Sequence, residues 1–186
     1  EDLTKLFTKT ASALRTDKGL KILANKGVHV GEGDAVGSLA FLFPGQGSQY
    51  LGMCGDLRRE FPIVQHTFDE ADAVMVDVLE KPLSFYMDPT NLETPADKKR
   101  AFADLTRTEI TQPAMLTADI AILRLLAAFG FTPDLVAGHS LGEYGACVAA
   151  GVMDFPTALK TVAARGTEMA NVEPMDGDVG LMAALG

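Results

Sequence analysis

The feature that most constrains this sequence is a long apolar segment, PAMLTADIAILRLLAAF, at residues 113 to 129. Its apolar side chains would lie on nearly every side of a helix, so such a helix has to be covered all round by other elements. Gly130 follows directly, and glycine is the residue that most often follows a helix end. The segment therefore predicts a helix buried at the centre of a layered fold.

Two shorter apolar runs predict strands of the same fold. They are LAFLF at 39 to 43 and DLVAG at 134 to 138, and short runs of this kind are typical of buried parallel strands. VGLMAALG, at 179 to 186, predicts the start of a further strand. The alternation of strands with helices indicates an α/β fold with a parallel sheet. The other helical patterns lie near residues 49–57, 61–79, 95–105, 141–150 and 154–170, with Pro62 and Pro95 in first turns.

The composition changes near residue 38. Residues 1–38 contain a short helical pattern and a glycine-rich connection, and we expect them to form a linker or the edge of a preceding domain. Residues 39–186 carry the α/β pattern. A chain of 186 residues that is 47% hydrophobic can bury one core of ordinary domain size.

Charge and cysteine content exclude several classes of protein. A net charge of −9 argues against a nucleic-acid surface, which needs clustered lysines and arginines that outweigh the acids. The N-terminal residues lack the plan of a secretory signal, and no apolar run approaches the length of a membrane-spanning helix. We therefore expect a cytoplasmic protein. Cys54 and Cys147 lack the spacing of a redox or metal motif and are expected to be small buried thiols.

A G-x-S-x-G motif, Gly138-His139-Ser140-Leu141-Gly142, lies between a predicted strand and a predicted helix. In that context the motif predicts a nucleophile elbow, a strained turn that presents the serine hydroxyl. The flanking glycines would permit the close approach of strand and helix. The free N–H groups at the start of the helix would face a developing oxyanion.

No base for this serine is evident. The chain has three histidines, His29, His66 and His139, and none lies after Ser140. Adjacent side chains diverge on such a turn, so we expect His139 to have a packing or hydrogen-bonding role. His29 and His66 are expected at the surface.

A second loop, Gly45-Gln46-Gly47-Ser48-Gln49, follows the first predicted strand. It is not a dinucleotide fingerprint, since Tyr50 replaces the last glycine, and it lacks the lysine of a phosphate loop. Two alternatives stay open on these residues. Either the backbone of Gln46 supplies a second oxyanion N–H group, or the loop is a simple strand-to-helix turn.

Three motifs in register carry a resemblance. FLFPGQGSQYLGM, TQPAMLTADIAI and GHSLGEYGA resemble the acyltransferases that load acyl carrier proteins. These are the malonyl-CoA:acyl carrier protein transacylases and the acyltransferase domains of polyketide, fatty-acid and polyunsaturated-fatty-acid synthases. The resemblance runs from about Leu39 to Gly186 and implies an α/β-hydrolase-like parallel sheet with flanking helices, truncated at the start of an inserted ferredoxin-like subdomain. Residues 1–38 resemble the linker from a ketosynthase to an acyltransferase.

The resemblance also implies roles for individual residues. Ser140 would be the acylated nucleophile, and the backbone N–H groups of Gln46 and Leu141 would form the oxyanion hole. Arg165, in AARGTEM, would bind the free carboxylate of a malonyl-type substrate, because a planar guanidinium can bind a carboxylate through two hydrogen bonds. Gln112 would line the same pocket.

His139 and Arg165 each have a second interpretation. His139 is placed with the substrate-binding residues, although its position in the motif equally suits packing. Without the resemblance, Arg165 would be interpreted as a surface residue of a helix that pairs with Glu168 at i+3.

The implied reaction is a ping-pong acyl transfer. Ser140 would take a malonyl group from a coenzyme A thioester and pass it to the phosphopantetheine thiol of an acyl carrier protein. No metal or redox cofactor is required, and neighbouring synthase domains such as a ketosynthase are expected partners. The base of the family is a downstream histidine past the small subdomain, so residues 1–186 alone are expected to turn over negligibly. The choice between malonyl and methylmalonyl stays open.

Two other functions fit the same residues. A serine esterase or thioesterase would use the same elbow, but one that acts on neutral acyl groups has no use for a buried cation at Arg165. A non-catalytic structural segment of a large synthase would explain the missing base.

Overall fold

The computed structural model describes residues 3–14, 21–23, 25, 28, 33, 37–90 and 92–172. The chain divides into two compact units, Glu1–Gly37 and Ser38–Gly186. The division falls beside the boundary expected from the sequence, and the linker role of the first unit stays a prediction. Helix α1, in the first unit, spans Leu3–Ala13.

The second unit contains two strands and seven helices within the described residues. The strands are β1 (Ala40–Phe43) and β2 (Leu135–Gly138). The helices are α2 (Gly55–Glu60), α3 (Pro62–Met75), α4 (Leu83–Met87), α5 (Pro95–Thr106), α6 (Thr108–Ala128), α7 (Gly142–Ala149) and α8 (Phe155–Ala170).

The two strands form a parallel pair, as the sequence predicts. Ala40 lies opposite Leu135 and Phe43 opposite Gly138, so both strands end at the same edge of the sheet. This places the loop after β1 beside the turn after β2. The predicted strand at 179–186, where the expected subdomain would begin, lies outside the described residues.

Burial of the sheet differs from the expectation. Leu42 and Leu135 share one face of the pair and are 77% and 63% exposed, whereas Phe43 on the other face is buried. Helix α7 packs on the face of the sheet that carries Phe43. No described element buries the opposite face, which carries Leu42. A cavity of about 330 Å³ lies between β1 and α6, and residues from both faces of β1 line it. The strands are therefore parallel as predicted but only half buried.

Helix α6 is the central element, as the apolar run predicts. It packs against α3, α4 and α8 and is buried along most of its length. It begins at Thr108 rather than near Pro113, because the N–H groups of Ile110 and Thr111 already bond to the carbonyl of Arg107. Pro113 removes one backbone hydrogen bond inside the helix, and the surrounding packing tolerates this loss.

The expectation that no apolar run approaches the length of a membrane-spanning helix is wrong for α6. Over Thr108–Ala128 it is long and apolar enough to cross a membrane by length and composition. In the described structure, 72% of that apolar window is buried against other parts of the fold. A core helix meets the same criterion because it, too, has no polar face.

Candidate active site

Ser140 lies on a strained turn between β2 and α7. Its φ is 53°, in the left-handed region that residues other than glycine rarely adopt. The strand before it ends at Gly138 and the helix after it begins at Gly142. The predicted context of a strand, a strained serine and a helix is confirmed.

The glycines of the motif are required by close backbone contacts. A Cβ on Gly138 would lie 2.2 Å from the carbonyl carbon of Gly142, far inside any allowed contact. Gly142 in turn lies against the end of β1. Because these neighbours are backbone atoms, no side-chain rotation could make room, and the motif needs glycine at both positions.

The start of α7 fixes the position of the backbone N–H of Leu141, one of the two predicted oxyanion donors. Leu141 is the N-cap of α7, so its N–H precedes the hydrogen-bonded ladder and has no carbonyl of its own helix to bond. The positive end of the helix dipole lies at the same point. The geometry suits an anion beside Ser140, and the oxyanion role of Leu141 stays a prediction.

The loop after β1 lies against the elbow. The N–H of His139 donates to the carbonyl of Phe43 at 3.1 Å, which extends the strand pairing to the edge of the site. A Cβ on Gly45 would lie 2.7 Å from Nδ1 of His139, so the imidazole packs on the backbone of this loop. His139 thus has a packing contact, one of its two interpretations, and a contact with substrate stays a prediction.

Gln46 has a tertiary contact of its own. Its side-chain Nε2 lies 3.5 Å from Oγ1 of Thr108, at the start of α6, and the N–H of Gly47 donates to Oε1 of Gln49 at 2.8 Å. These bonds tie the loop to itself and to the central helix. An oxyanion role for the backbone N–H of Gln46 remains a prediction.

Arg165 faces the serine. Its Nη2 lies 3.5 Å from Oγ of Ser140, and its Nη1 donates to Oε1 of Gln112 at 2.8 Å. The ion pair with Glu168 is not formed, and Arg165 has no carboxylate partner among the described residues. Within the described structure the half-buried guanidinium is therefore a cation beside Ser140 with no carboxylate to neutralise it, and the local i+3 interpretation is wrong.

Close packing of α6 and α8 creates this arrangement. A Cβ on Gly166 would lie 2.8 Å from the Cα of Glu109 and from the carbonyl oxygen of Thr108. The missing side chain lets the two helices approach, so that Arg165 on α8 reaches Gln112 on α6. Gln112 itself is fully buried.

The model of a known family matches this chain. The acyl transferase domain family matches residues 40–185, which include both strands, the elbow and Arg165. The chain belongs to the acyl transferase domain family.

Individual relatives agree with this assignment. The chain is 43% identical over 148 residues to a malonyl CoA-acyl carrier protein transacylase of Bacillus subtilis (strain 168), covering 80% of this chain and 42% of that protein. It is 42% identical over 142 residues to the polyketide synthase GfsA of Streptomyces halstedii, covering 76% and 2% respectively. This acyl transferase chain therefore spans under half the length of the curated transacylases it matches.

A solved structure shares its fold. It is PlMCAT bound to AntF, described as a type II acyl-carrier protein in complex with its malonyl-transacylase. The identity is 41% and the TM-score 0.63, and the match covers 74% of this chain and 40% of that one. The likeness establishes an α/β fold in which a small parallel sheet is flanked by helices.

The described part of this acyl transferase domain does not show the base. His66 is exposed on α3, as expected, and His29 lies outside the described residues. His139 makes no hydrogen bond to Ser140 in the described structure, where Oγ of the serine instead contacts Arg165. No cluster of three or more metal-binding side chains occurs among the residues that the structure describes.

Sequence reasoning missed a half-buried acid in the acyl transferase domain. Asp119 lies on α6 beside the cavity next to β1, and its Oδ2 has no hydrogen-bond partner in the described structure. Burial raises the pKa of this carboxyl to about 7. Burial, with the charge of Asp119, raises the pKa of the Cys54 thiol to about 11. The signal available in the sequence was an acid within an apolar segment.

Proposed function

We propose that this chain is the serine-bearing part of an enzyme that transfers a malonyl group from coenzyme A to the phosphopantetheine thiol of an acyl carrier protein. The observation that carries the proposal is the guanidinium of Arg165, which lies 3.5 Å from Oγ of Ser140 and has no carboxylate partner among the described residues. A cation at that distance can hold the free carboxylate of a malonyl group while its thioester carbon meets the serine.

The chemistry proceeds in two halves. Oγ of Ser140 attacks the thioester carbonyl, a general base takes the hydroxyl proton, and coenzyme A leaves as its thiol. The carrier-protein thiol then attacks the serine ester, loses its own proton to the base, and releases Ser140 with its hydroxyl restored. The resemblance assigns this base to a histidine that follows a small inserted subdomain.

The oxyanion of each half-reaction needs donors. The N–H of Leu141 at the helix start and the N–H of Gln46 in the loop after β1 are the proposed pair. Both follow ends of neighbouring parallel strands, and two such donors typically contribute about 10² to 10³ each to the rate. No metal or redox cofactor is needed for this chemistry.

Names of the relatives support the substrate and the partner. Transacylases about 42% identical to this chain are named for malonyl-CoA and acyl carrier protein, and the PlMCAT structure contains a carrier protein. The polyketide synthase relative supports a synthase context, in which a ketosynthase is the proposed neighbour. We propose a cytoplasmic location for such an enzyme.

The test is the mass of the acylated protein. The full-length protein incubated with malonyl-CoA should gain one malonyl group, and Ser140→Ala should gain none. Ser12→Ala, an exposed serine of α1, is the matched control and should load normally. A malonyl adduct that persists in Ser140→Ala contradicts the assignment.

A second measurement separates transfer from hydrolysis. The loaded protein is mixed with a phosphopantetheinylated carrier protein, and both malonyl-carrier and free malonate are quantified. Transfer should exceed release. Release of malonate that is indifferent to the carrier protein would establish a thioesterase instead.

A further inference from the structure

Gln112 has an unusual position for a residue expected to contact substrate. Its side chain is 0% exposed, on the buried face of α6. A group sealed in this way meets a ligand only through another residue. One residue that it touches is Arg165, whose Nη1 donates a hydrogen bond of 2.8 Å to Oε1 of Gln112.

Both ends of the Gln112 amide are occupied. Oε1 accepts from Arg165, which places Nε2 on the opposite side, where it lies 3.4 Å from Sδ of Met169. The guanidinium can only donate, so the carbonyl end has to face it. The orientation of the amide is therefore set by its neighbours.

We propose that Gln112 is a positioning residue that determines acyl specificity: it aims Arg165 at Ser140 while leaving the arginine's charge free for a carboxylated acyl group. The inference rests on the proposed function. It differs from a direct role in binding, since Gln112 acts on the substrate through the guanidinium alone.

The neutral amide is the decisive feature. A glutamate of the same length at this position would lie within ion-pair distance of Arg165 and neutralise it. The substrate carboxylate would then compete with a permanent internal carboxylate. Neutral acyl groups such as acetyl make no use of the free charge, so they would not be affected.

A neutral side chain without an acceptor has a different effect. Methionine has nearly the length of glutamine and no charge, so Gln112→Met removes the hydrogen bond and leaves Arg165 charged. The guanidinium loses its anchor but keeps its attraction for a carboxylate. The pair of variants therefore separates orientation from charge.

The experiment compares Gln112→Glu and Gln112→Met in the full-length protein with malonyl-CoA and acetyl-CoA as donors. The quantity measured is kcat/KM for acylation of Ser140, with kcat and KM resolved for each donor. Gln65→Glu is the matched control. Gln65 lies on α3, and its Oε1 also accepts a hydrogen bond from an arginine, Arg58, at 3.3 Å. It should leave both donors unchanged.

We expect Gln112→Glu to lower the malonyl-to-acetyl ratio about 10- to 100-fold, the range of one charge-assisted pair. The loss should be mainly a rise in KM for malonyl-CoA, with acetyl loading within about threefold of wild type. Gln112→Met should lower the ratio less than Gln112→Glu does. Acetyl loading in each variant also shows that the site is folded.

The possible outcomes distinguish the inference about Gln112 from the proposed function. A wild-type ratio in Gln112→Glu, or equal losses for both donors, overturns the inference and leaves the proposed function standing. A larger loss in Gln112→Met than in Gln112→Glu also overturns it, since charge would then not be the determinant. Wild-type protein that gains no malonyl group on Ser140 refutes the proposed function itself.

Discussion

The carbonyl oxygen of Phe43 occupies the place where a side chain at residue 142 would begin. A Cβ on Gly142 would lie 2.1 Å from that oxygen. Phe43 ends β1 and Gly142 begins α7, so this contact sets the distance between the first strand and the helix that follows the serine. The position of Ser140 thus depends on the absence of a side chain two residues later.

Gly142→Ala should therefore displace α7 from the sheet. Overpacking against the backbone costs about 1 to 3 kcal/mol of unfolding free energy, and acylation of Ser140 should be lost. Urea unfolding and adduct mass measure the two effects. Gly151→Ala is the control: its φ of 70° strains the backbone, but its surroundings are open, so acylation should persist. Normal acylation in Gly142→Ala would show that the elbow tolerates the shift.

Replacement of Arg165 should affect donors unequally. Arg165→Ala removes the cation beside Ser140, so acylation by malonyl-CoA should fall about 10- to 100-fold more than acylation by acetyl-CoA. Arg165→Lys keeps the charge but lacks the planar guanidinium. Its rate of acylation by malonyl-CoA should therefore lie between those of wild type and Arg165→Ala. Rates of adduct formation with each donor provide the measurement. Equal losses for both donors would indicate a purely structural arginine.

Gly166→Ala should separate α6 from α8. Its methyl group would meet backbone atoms of Thr108 and Glu109 at 2.8 Å, which should cost about 1 to 3 kcal/mol of stability. Because Arg165 is the neighbouring residue, the malonyl-to-acetyl ratio should fall as well. Ala164→Ser adds an atom at an exposed position of α8 and should change neither quantity. A ratio that stays at the wild-type value would mean that Arg165 does not depend on this packing.

Asp119 should make stability depend on pH. Its native pKa is raised from 3.8 to about 7, so between these values the native state holds a proton that the unfolded state has released. The contribution of Asp119 to the unfolding free energy is complete below about pH 4. It falls by up to about 4 kcal/mol as the pH rises to about 7. Asp119→Asn has no such proton, so its advantage over wild type should grow with pH.

Urea unfolding of both proteins at pH 4, 5.5 and 8 tests this expectation. The difference in unfolding free energy should be smallest at pH 4 and largest at pH 8. Parallel pH profiles would mean that Oδ2 of Asp119 finds a partner in solution.

Several elements could be predicted because their signals are local. The strand at 134–138, the serine turn and the helix from Gly142 follow from two glycines, a short apolar run and the spacing of the motif. The prolines at 62 and 95 do lie in first helical turns. The start of α6 could not be predicted, because Pro113 resembles a helix start and only packing makes a proline in the second turn acceptable.

The sequence by itself determined the two described strands, their parallel pairing and the candidate nucleophile, since periodicity and backbone geometry are encoded in neighbouring residues. Only the tertiary structure decided the partners of Arg165. Sequence spacing favours Glu168, one turn away, whereas the contact made is with Gln112, on another helix. That contact depends on Gly166, whose missing Cβ lets α6 and α8 meet, and distances between helices are set by packing rather than by local pattern.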